Sequence, residues 1–323
     1  MTRSFLGAVL LSALVALTGC GSSDDGGATP GAGGAAGAAG GGNQAGAGGG
    51  SSADLHRCPT SEYKTLVVVG DSISDVGGSG GPDDQEPFYR TLLVHNDDAL
   101  YPEWKGVDLA TCWGFDSTTN VVKVSVGGAI ATQGMSGGAS VLVDQAKSLP
   151  DSLPGPVLVV GTIGGNDVVS GLTDYLIGTP EAQERDRQDF LAGWVAAMDE
   201  LTRADRFGPG VEVDVLITNI YDPSGGTGDF TYEPESRKCP GALSLWPSTQ
   251  STNPALMPWN EGLTEKAAGY ASVHLLDLHG AFLAHRVNTP AADNWFHDDC
   301  IHPNAAGHNG LRELFWAGLL ALH

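Results

Sequence analysis

The sequence predicts an α/β domain organised around a doubly wound parallel sheet. Five short runs rich in apolar and β-branched residues recur between Thr65 and Leu276. Three of them are nearly continuous in apolar residues, the pattern of strands buried on both faces of a parallel sheet. Segments with helical spacing fall between the runs, and strands alternating with helices fold into a sheet covered on both sides.

Taken in order, the first 54 residues stand outside that pattern. Met1 to Cys20 reads as an export signal, with Arg3 ahead of an apolar run from Phe5 to Leu17 that the small residues Thr18 and Gly19 close. The run is too short to span a bilayer as a permanent helix. Its ending, Leu17-Thr18-Gly19-Cys20, resembles a bacterial lipoprotein cleavage box, which makes Cys20 the expected lipidation site. An ordinary secretory signal with a chance cysteine is the alternative. Gly21 after that cysteine favours an outer membrane where the cell has one, so a cell-envelope location is expected. Residues 21–54 are dominated by Gly, Ala and Ser and cannot bury enough surface to offset their ordering entropy. They are expected to be a disordered tether reaching roughly 30 Å.

Residues 55–323 then form one domain of ordinary size. Its strand candidates are Thr65–Val69, Val121–Val126, Val157–Ile163, Val211–Ile217 and Ser272–Leu276. Helices are expected over Pro87 to His95, over Ser140 to Ser148, and from Thr179 as N-cap with Pro180 in the first turn. In that third helix Phe190, Trp194, Met198 and Leu201 repeat at helical spacing and should face the core. A last helix follows Ala305, with Leu311, Leu314, Phe315 and Leu322 on one side. Between Ile220 and Asn253 runs a long Gly/Pro/Ser-rich connection, and long loops in compact domains are commonly functional. Besides Cys20 there are Cys58, Cys112, Cys239 and Cys300. An even set in an exported domain suggests two disulfides; of the three pairings open to it, Cys58–Cys112 with Cys239–Cys300 is favoured.

The formal net charge is −22 and no Lys/Arg cluster stands out, which argues against a nucleic-acid partner. A membrane is expected to be met only through the lipid anchor, and the protein is expected to act as a monomer.

The chemistry-bearing residues sit where the strands end, the edge at which open parallel sheets bind ligands. The first strand runs into Gly70-Asp71-Ser72-Ile73-Ser74-Asp75, the second into Gly127-Gly128-Ala129, the third into Gly164-Gly165-Asn166-Asp167. Glycine lets a backbone N–H approach a substrate, and a carboxamide is a neutral donor, so these groups can face an oxygen that becomes negative during acyl transfer. Each alone reads as a turn former; three at one edge do not. Near the C-terminus, Asp299-Cys300-Ile301-His302 supplies a histidine to take a hydroxyl proton and a carboxylate to hold its tautomer. Cys300 lies between those two, so its disulfide is expected to pin the loop that carries the base. Metal binding is the sharper rival, since His297, Asp298, Asp299, His302 and His308 crowd one stretch, but no Cys-x-x-Cys spacing or second ligand-rich cluster accompanies it.

Gly70-Asp71-Ser72, Gly128, Gly164-Gly165-Asn166-Asp167 and Asp299-x-x-His302 resemble, in order, the four motif blocks of the GDSL/SGNH hydrolase family. The resemblance implies a flavodoxin-like three-layer α/β/α sandwich with a five-stranded parallel sheet and no cofactor. It makes Ser72 the nucleophile, His302 the base and Asp299 its partner. Ser72, Gly128 and Asn166 would form the oxyanion hole. Two departures are Ile73 in place of the usual Leu and Val126-Gly127-Gly128 in the second block, which leaves open whether Gly127 or Gly128 faces the oxyanion. The α/β-hydrolase nucleophile elbow is the lesser fold alternative, because Gly70-x-Ser72-x-Ser74 lacks its second glycine.

A serine hydrolase of carboxylic esters is therefore expected, acting on a small-molecule, lipid or acylated-glycan ester. An acyltransferase would use the same residues, a non-catalytic surface lipoprotein would keep only the fold, and a metal-dependent hydrolase would respond to chelators. Gly77–Pro82 and the Ile220–Asn253 connection are expected to shape the pocket, with Trp246 and Trp259 as candidate walls or packing residues.

Overall fold

The structure, a computed structural model of the chain, describes residues 55–75, 87–134, 140–247 and 250–322. The export signal with Cys20, the tether and the Gly77–Pro82 segment lie outside the described residues.

All five predicted runs are strands: β1 (Thr65–Gly70), β2 (Val121–Lys123), β3 (Val157–Thr162), β4 (Val213–Thr218) and, after a short ribbon of β5 (Thr231–Tyr232) and β6 (Arg237–Lys238), β7 (Val273–Leu276). The main sheet has the order β2-β1-β3-β4-β7 and every neighbouring pair is parallel. The expected five-stranded, flavodoxin-like arrangement is thus what the chain adopts.

The helices among the described residues are α1 (Tyr89–Val94), α2 (Leu109–Trp113), α3 (Leu142–Ser148), α4 (Gly165–Ile177), α5 (Pro180–Thr202), α6 (Asn253–Ala267), α7 (Leu278–Phe282) and α8 (Ala305–Ala321). Register explains how they cover the sheet. Val67, Val159, Val215 and Val273 are aligned across four strands and pack with Leu142, Phe190, Trp194 and Leu263 of α3, α5 and α6. One residue along the strands, Leu66, Val68, Leu158, Val160 and Leu216 point the other way, toward Leu93, Phe282, Leu311 and Phe315 of α1, α7 and α8. A period of two in strands that are apolar on both faces over most of their length thus produces three layers. Each fully buried aliphatic side chain contributes about 1.5–3 kcal/mol to that packing.

Thr179 caps its helix as expected, and Asn304 supplies a second cap that the sequence reading did not name. Thr179 accepts the Ala182 N–H at 3.3 Å at the start of α5, and Asn304 accepts the Gly307 N–H at 3.1 Å at the start of α8. Most boundaries differ from the expected ones by one or two residues, and the second strand by three. The second strand stops at Lys123 rather than Val126 because the Val124 and Ser125 amides both go to Val68 O, at 2.9 and 3.1 Å, which breaks the ladder. α1 begins at Tyr89 rather than Pro87. The Ile220–Asn253 connection is no plain loop, since the β5–β6 ribbon and two 3₁₀ turns lie within it. Both favoured disulfides, Cys58–Cys112 and Cys239–Cys300, are present. Among the described residues no helix is long and apolar enough to cross a membrane.

Candidate active site

β1 delivers Ser72 through a turn that only a glycine can start. Gly70 has φ +114°, and a Cβ there would sit 2.0 Å from Thr162 O. The Gln145 carboxamide holds both sides of that residue, accepting Gly70 N–H at 2.7 Å and donating to Gly70 O at 2.9 Å. The turn then closes with Ser74 N and Asp75 N donating to Asp71 O at 3.1 and 2.9 Å. Beneath it the Asp71 carboxyl accepts from Thr162 Oγ1 at 2.7 Å and Ile73 N at 3.2 Å. Burial pushes the pKa of Asp71 up to about 6 against those hydrogen bonds. Ser74 Oγ meets Tyr89 Oη at 2.7 Å and Thr162 Oγ1 at 2.9 Å. Ser72 is thus presented half-buried on a turn locked from below.

The partner residues arrive on the loop before α8. His302 Nε2 lies 2.8 Å from Ser72 Oγ, and His302 Nδ1 lies 2.5 Å from Asp299 Oδ2. Asp299 Oδ1 also accepts the Ile301 and His302 amides, at 2.8 and 2.9 Å. Burial alone would raise the pKa of Asp299, but the hydrogen bond to His302, the charge of that ring and the two amides outweigh it and hold the group below its usual range. An ionised carboxylate only accepts, so Nδ1 carries the ring proton and Nε2 accepts from the Ser72 hydroxyl. That is the tautomer a general base needs.

Three donors border the nucleophile turn. The Ser72 amide has no hydrogen-bond partner among the described residues. The second-block turn is closed by Ala129 N donating to Val126 O at 3.1 Å. Gly127 N is occupied, donating to Asp75 Oδ2 at 2.7 Å, whereas the Gly128 N–H, at φ +76°, has no hydrogen-bond partner among the described residues. Of the two glycines left open by the sequence, Gly127 therefore has its amide engaged by Asp75. Asn166, in the first turn of α4, donates one N–H to Ala129 O at 3.0 Å, and among the described residues the other has no hydrogen-bond partner. Asp167 beside it accepts from Thr132 N, Thr132 Oγ1 and Ala131 N at 2.9, 2.7 and 3.1 Å, tying the second block to the third.

Residues between β4 and α6, which motif reading passes over, hold the base loop. Tyr221 Oη donates to Ile301 O, Arg237 Nη2 donates to Asp298 O at 2.6 Å, and Cys239 is bonded to Cys300. Cys300 itself sits in the left-handed region at φ +65°, a conformation a non-glycine residue keeps only when its surroundings enforce it. No spacing in the sequence flags Tyr221 or Arg237. Replacing Cys239 and Cys300 by serine is expected to lower turnover about tenfold to a hundredfold through misplacement of His302. The Cys58/Cys112 double-serine variant opens a loop of similar length, 54 against 61 residues, and so should lose comparable stability while keeping its turnover. Equal turnover in the two variants, measured below both melting temperatures, would count against the clamp.

His308 takes no part in this site. It is buried, its Nδ1 accepts the Tyr89 N–H at 3.4 Å, and burial pushes its pKa down to about 3, so it is neutral. Among the described residues no group of three His, Cys, Asp or Glu is placed to hold a metal ion. Trp246 stacks on Tyr175 and Trp259 packs on Phe190, both buried; they are packing residues.

A family model, that of the GDSL-like Lipase/Acylhydrolase family, matches residues 68–309. No curated protein matches the chain. Solved structures similar to it include a lipase from a goat rumen metagenome, 14% identical, with 80% of this chain and 99% of that chain covered and a TM-score of 0.47. An acetylxylan esterase from Geobacillus stearothermophilus is 15% identical over 82% and 96%, with a TM-score of 0.48. An α/β hydrolase enzyme from the metagenome of Lake Arreo, Spain, is 19% identical over 82% and 99%, with a TM-score of 0.42.

Proposed function

We propose a serine mechanism for this chain, which belongs to the GDSL-like Lipase/Acylhydrolase family and is by that membership an ester hydrolase. The observation that carries the mechanism is the 2.8 Å contact between Ser72 Oγ and His302 Nε2, made across 230 residues of sequence. Neutral His302 takes the Ser72 proton as the hydroxyl attacks the ester carbonyl. Charge then develops on the carbonyl oxygen, which the Ser72 and Gly128 amides and the Asn166 carboxamide receive. Removing one such donor typically costs about 3 kcal/mol of transition-state stabilisation. The imidazolium, steadied by Asp299, protonates the departing alcohol and leaves an acyl group on Ser72. Water, deprotonated by the same ring, attacks the acyl-enzyme and releases the acid, returning the proton to Ser72.

A fluorophosphonate probe tests this directly. Mass spectrometry is expected to find one adduct, on Ser72, formed in step with loss of hydrolysis of a short-chain acyl ester. An active enzyme labelled elsewhere, or not labelled, would remove Ser72 from its role.

Export belongs to the same proposal. Disulfides persist in oxidising compartments, so the two bonds support a protein that works outside the cytoplasm, anchored through Cys20 and spaced from the membrane by residues 21–54.

A further inference from the structure

We infer that Asp75 is the positioning residue of the oxyanion hole: it fastens the second-block turn to the nucleophile turn and leaves the Gly128 amide as the free donor. The inference rests on the serine mechanism proposed above.

Around the second block, Val126 N donates to Gly70 O at 3.0 Å and Ala129 N donates to Val126 O at 3.1 Å. The Gly127 amide would be the competing donor toward substrate, and Asp75 Oδ2 takes it at 2.7 Å. Three of four successive amides are therefore occupied and Gly128 N remains. Gly128 has φ +76° with nothing within 4 Å of where a Cβ would stand, so backbone conformation rather than crowding calls for glycine there. A turn closed from Val126 O to Ala129 N, with positive φ at its third residue, uses the amide of its last residue and leaves the Gly128 N–H outside its own hydrogen bond.

Asp75 is well placed to set this geometry. Its own amide donates to Asp71 O at 2.9 Å and Ser72 O at 3.3 Å, so it is part of the turn that presents the Ser72 amide. One side chain thereby fixes the spacing of two oxyanion donors that lie over 50 residues apart in sequence. Its second oxygen pairs with Lys123 Nζ at the end of β2, and the carboxylate is only 5% exposed. The pairing matters chemically: an uncompensated carboxylate beside a developing oxyanion would oppose catalysis, and Lys123 cancels that charge.

The test measures kcat on a short-chain ester together with the affinity of a reversible alkylboronic acid, which adopts the tetrahedral anionic form on the nucleophile. For Asp75→Ala, kcat and boronate affinity are expected to fall in parallel, about tenfold to a hundredfold, with KM nearly unchanged. Asp75→Asn keeps an acceptor for Gly127 N–H and should stay within about fivefold of the parent for both quantities, since a hydrogen bond to a neutral acceptor retains much of the geometry. If Asp75→Ala does not fold, Lys123→Met serves instead, with the same parallel loss expected on a smaller scale. Unchanged kcat in the folded variant, or lost kcat with unchanged boronate affinity, overturns the inference. Failure of the serine mechanism would be seen separately, as turnover surviving in Ser72→Ala.

Discussion

Ser72→Ala is expected to lower ester turnover about a millionfold while leaving the fold intact, as loss of a serine nucleophile does in a triad whose members act as a unit. The structure explains why both halves of that result should hold. The turn that carries Ser72 is secured by the Asp71 carboxyl, by Ser74 Oγ and by backbone bonds to Asp71 O. None of these uses the Ser72 hydroxyl, whose one hydrogen bond among the described residues is with His302. Removing it leaves the turn its supports and the site its amide donors. Substrate should still bind, so KM is expected to change little while kcat collapses. Steady-state kinetics on a chromogenic ester, with thermal melting as the fold control, measure the two together. Residual turnover above about a thousandth of the parent value would point to another nucleophile, because background catalysis by the remaining groups is far weaker.

The second large effect belongs to Asp299→Asn, expected to cost about a thousandfold in kcat. Asp299 Oδ1 holds two backbone amides of its own loop, and an asparagine oxygen can keep those. Its amide nitrogen would then face His302 Nδ1 and donate to it, which moves the ring proton to Nε2 and removes the base from Ser72. In fully buried triads that tautomer change costs about ten-thousandfold. Here both side chains are 41% exposed, so water can partly replace the carboxylate and a smaller loss follows. The pH profile adds an independent readout. Because Asp299 is held below the usual carboxylate range by His302 and the two amides against the effect of burial, it stays ionised wherever the imidazole is neutral. Protonation of Asp299 therefore plays no part in the loss of activity as the ring becomes charged. Removing the neighbouring anion makes the imidazolium less stable, so the acid limb should move to lower pH in the variant. An acid limb that stays in place would mean that Asp299 does not act on His302.

Much of this architecture was legible residue by residue. Apolar runs such as Leu66–Val69 and Val157–Val160 announce two-sided burial, because a strand covered on both faces has no polar side to show. Thr179-Pro180 marks a helix start because a hydroxyl acceptor followed by a residue without an N–H suits the first turn. The strand ends carried the site residues in plain view, since glycine, serine and asparagine are there for local backbone and hydrogen-bonding reasons. What escaped notice has no local signature. Tyr221 and Arg237 look like ordinary loop residues until the chain brings Ile301 and Asp298 beside them. Asp75 stands inside the first motif, but its purpose is to hold an amide 52 residues away.

By itself, then, the order of residues determined the class of sheet, the capping of its helices and which short motifs emerge at the C-terminal edge. Those features follow from side-chain period and from backbone preferences that act over a few residues. Only the tertiary structure decided that the Gly127 amide is taken by Asp75, that Cys239 meets Cys300, and that a ribbon from a distant connection braces the base loop. Each of these depends on groups far apart in the chain competing for the same hydrogen bond or the same space, and such a competition has an outcome only once the chain has closed.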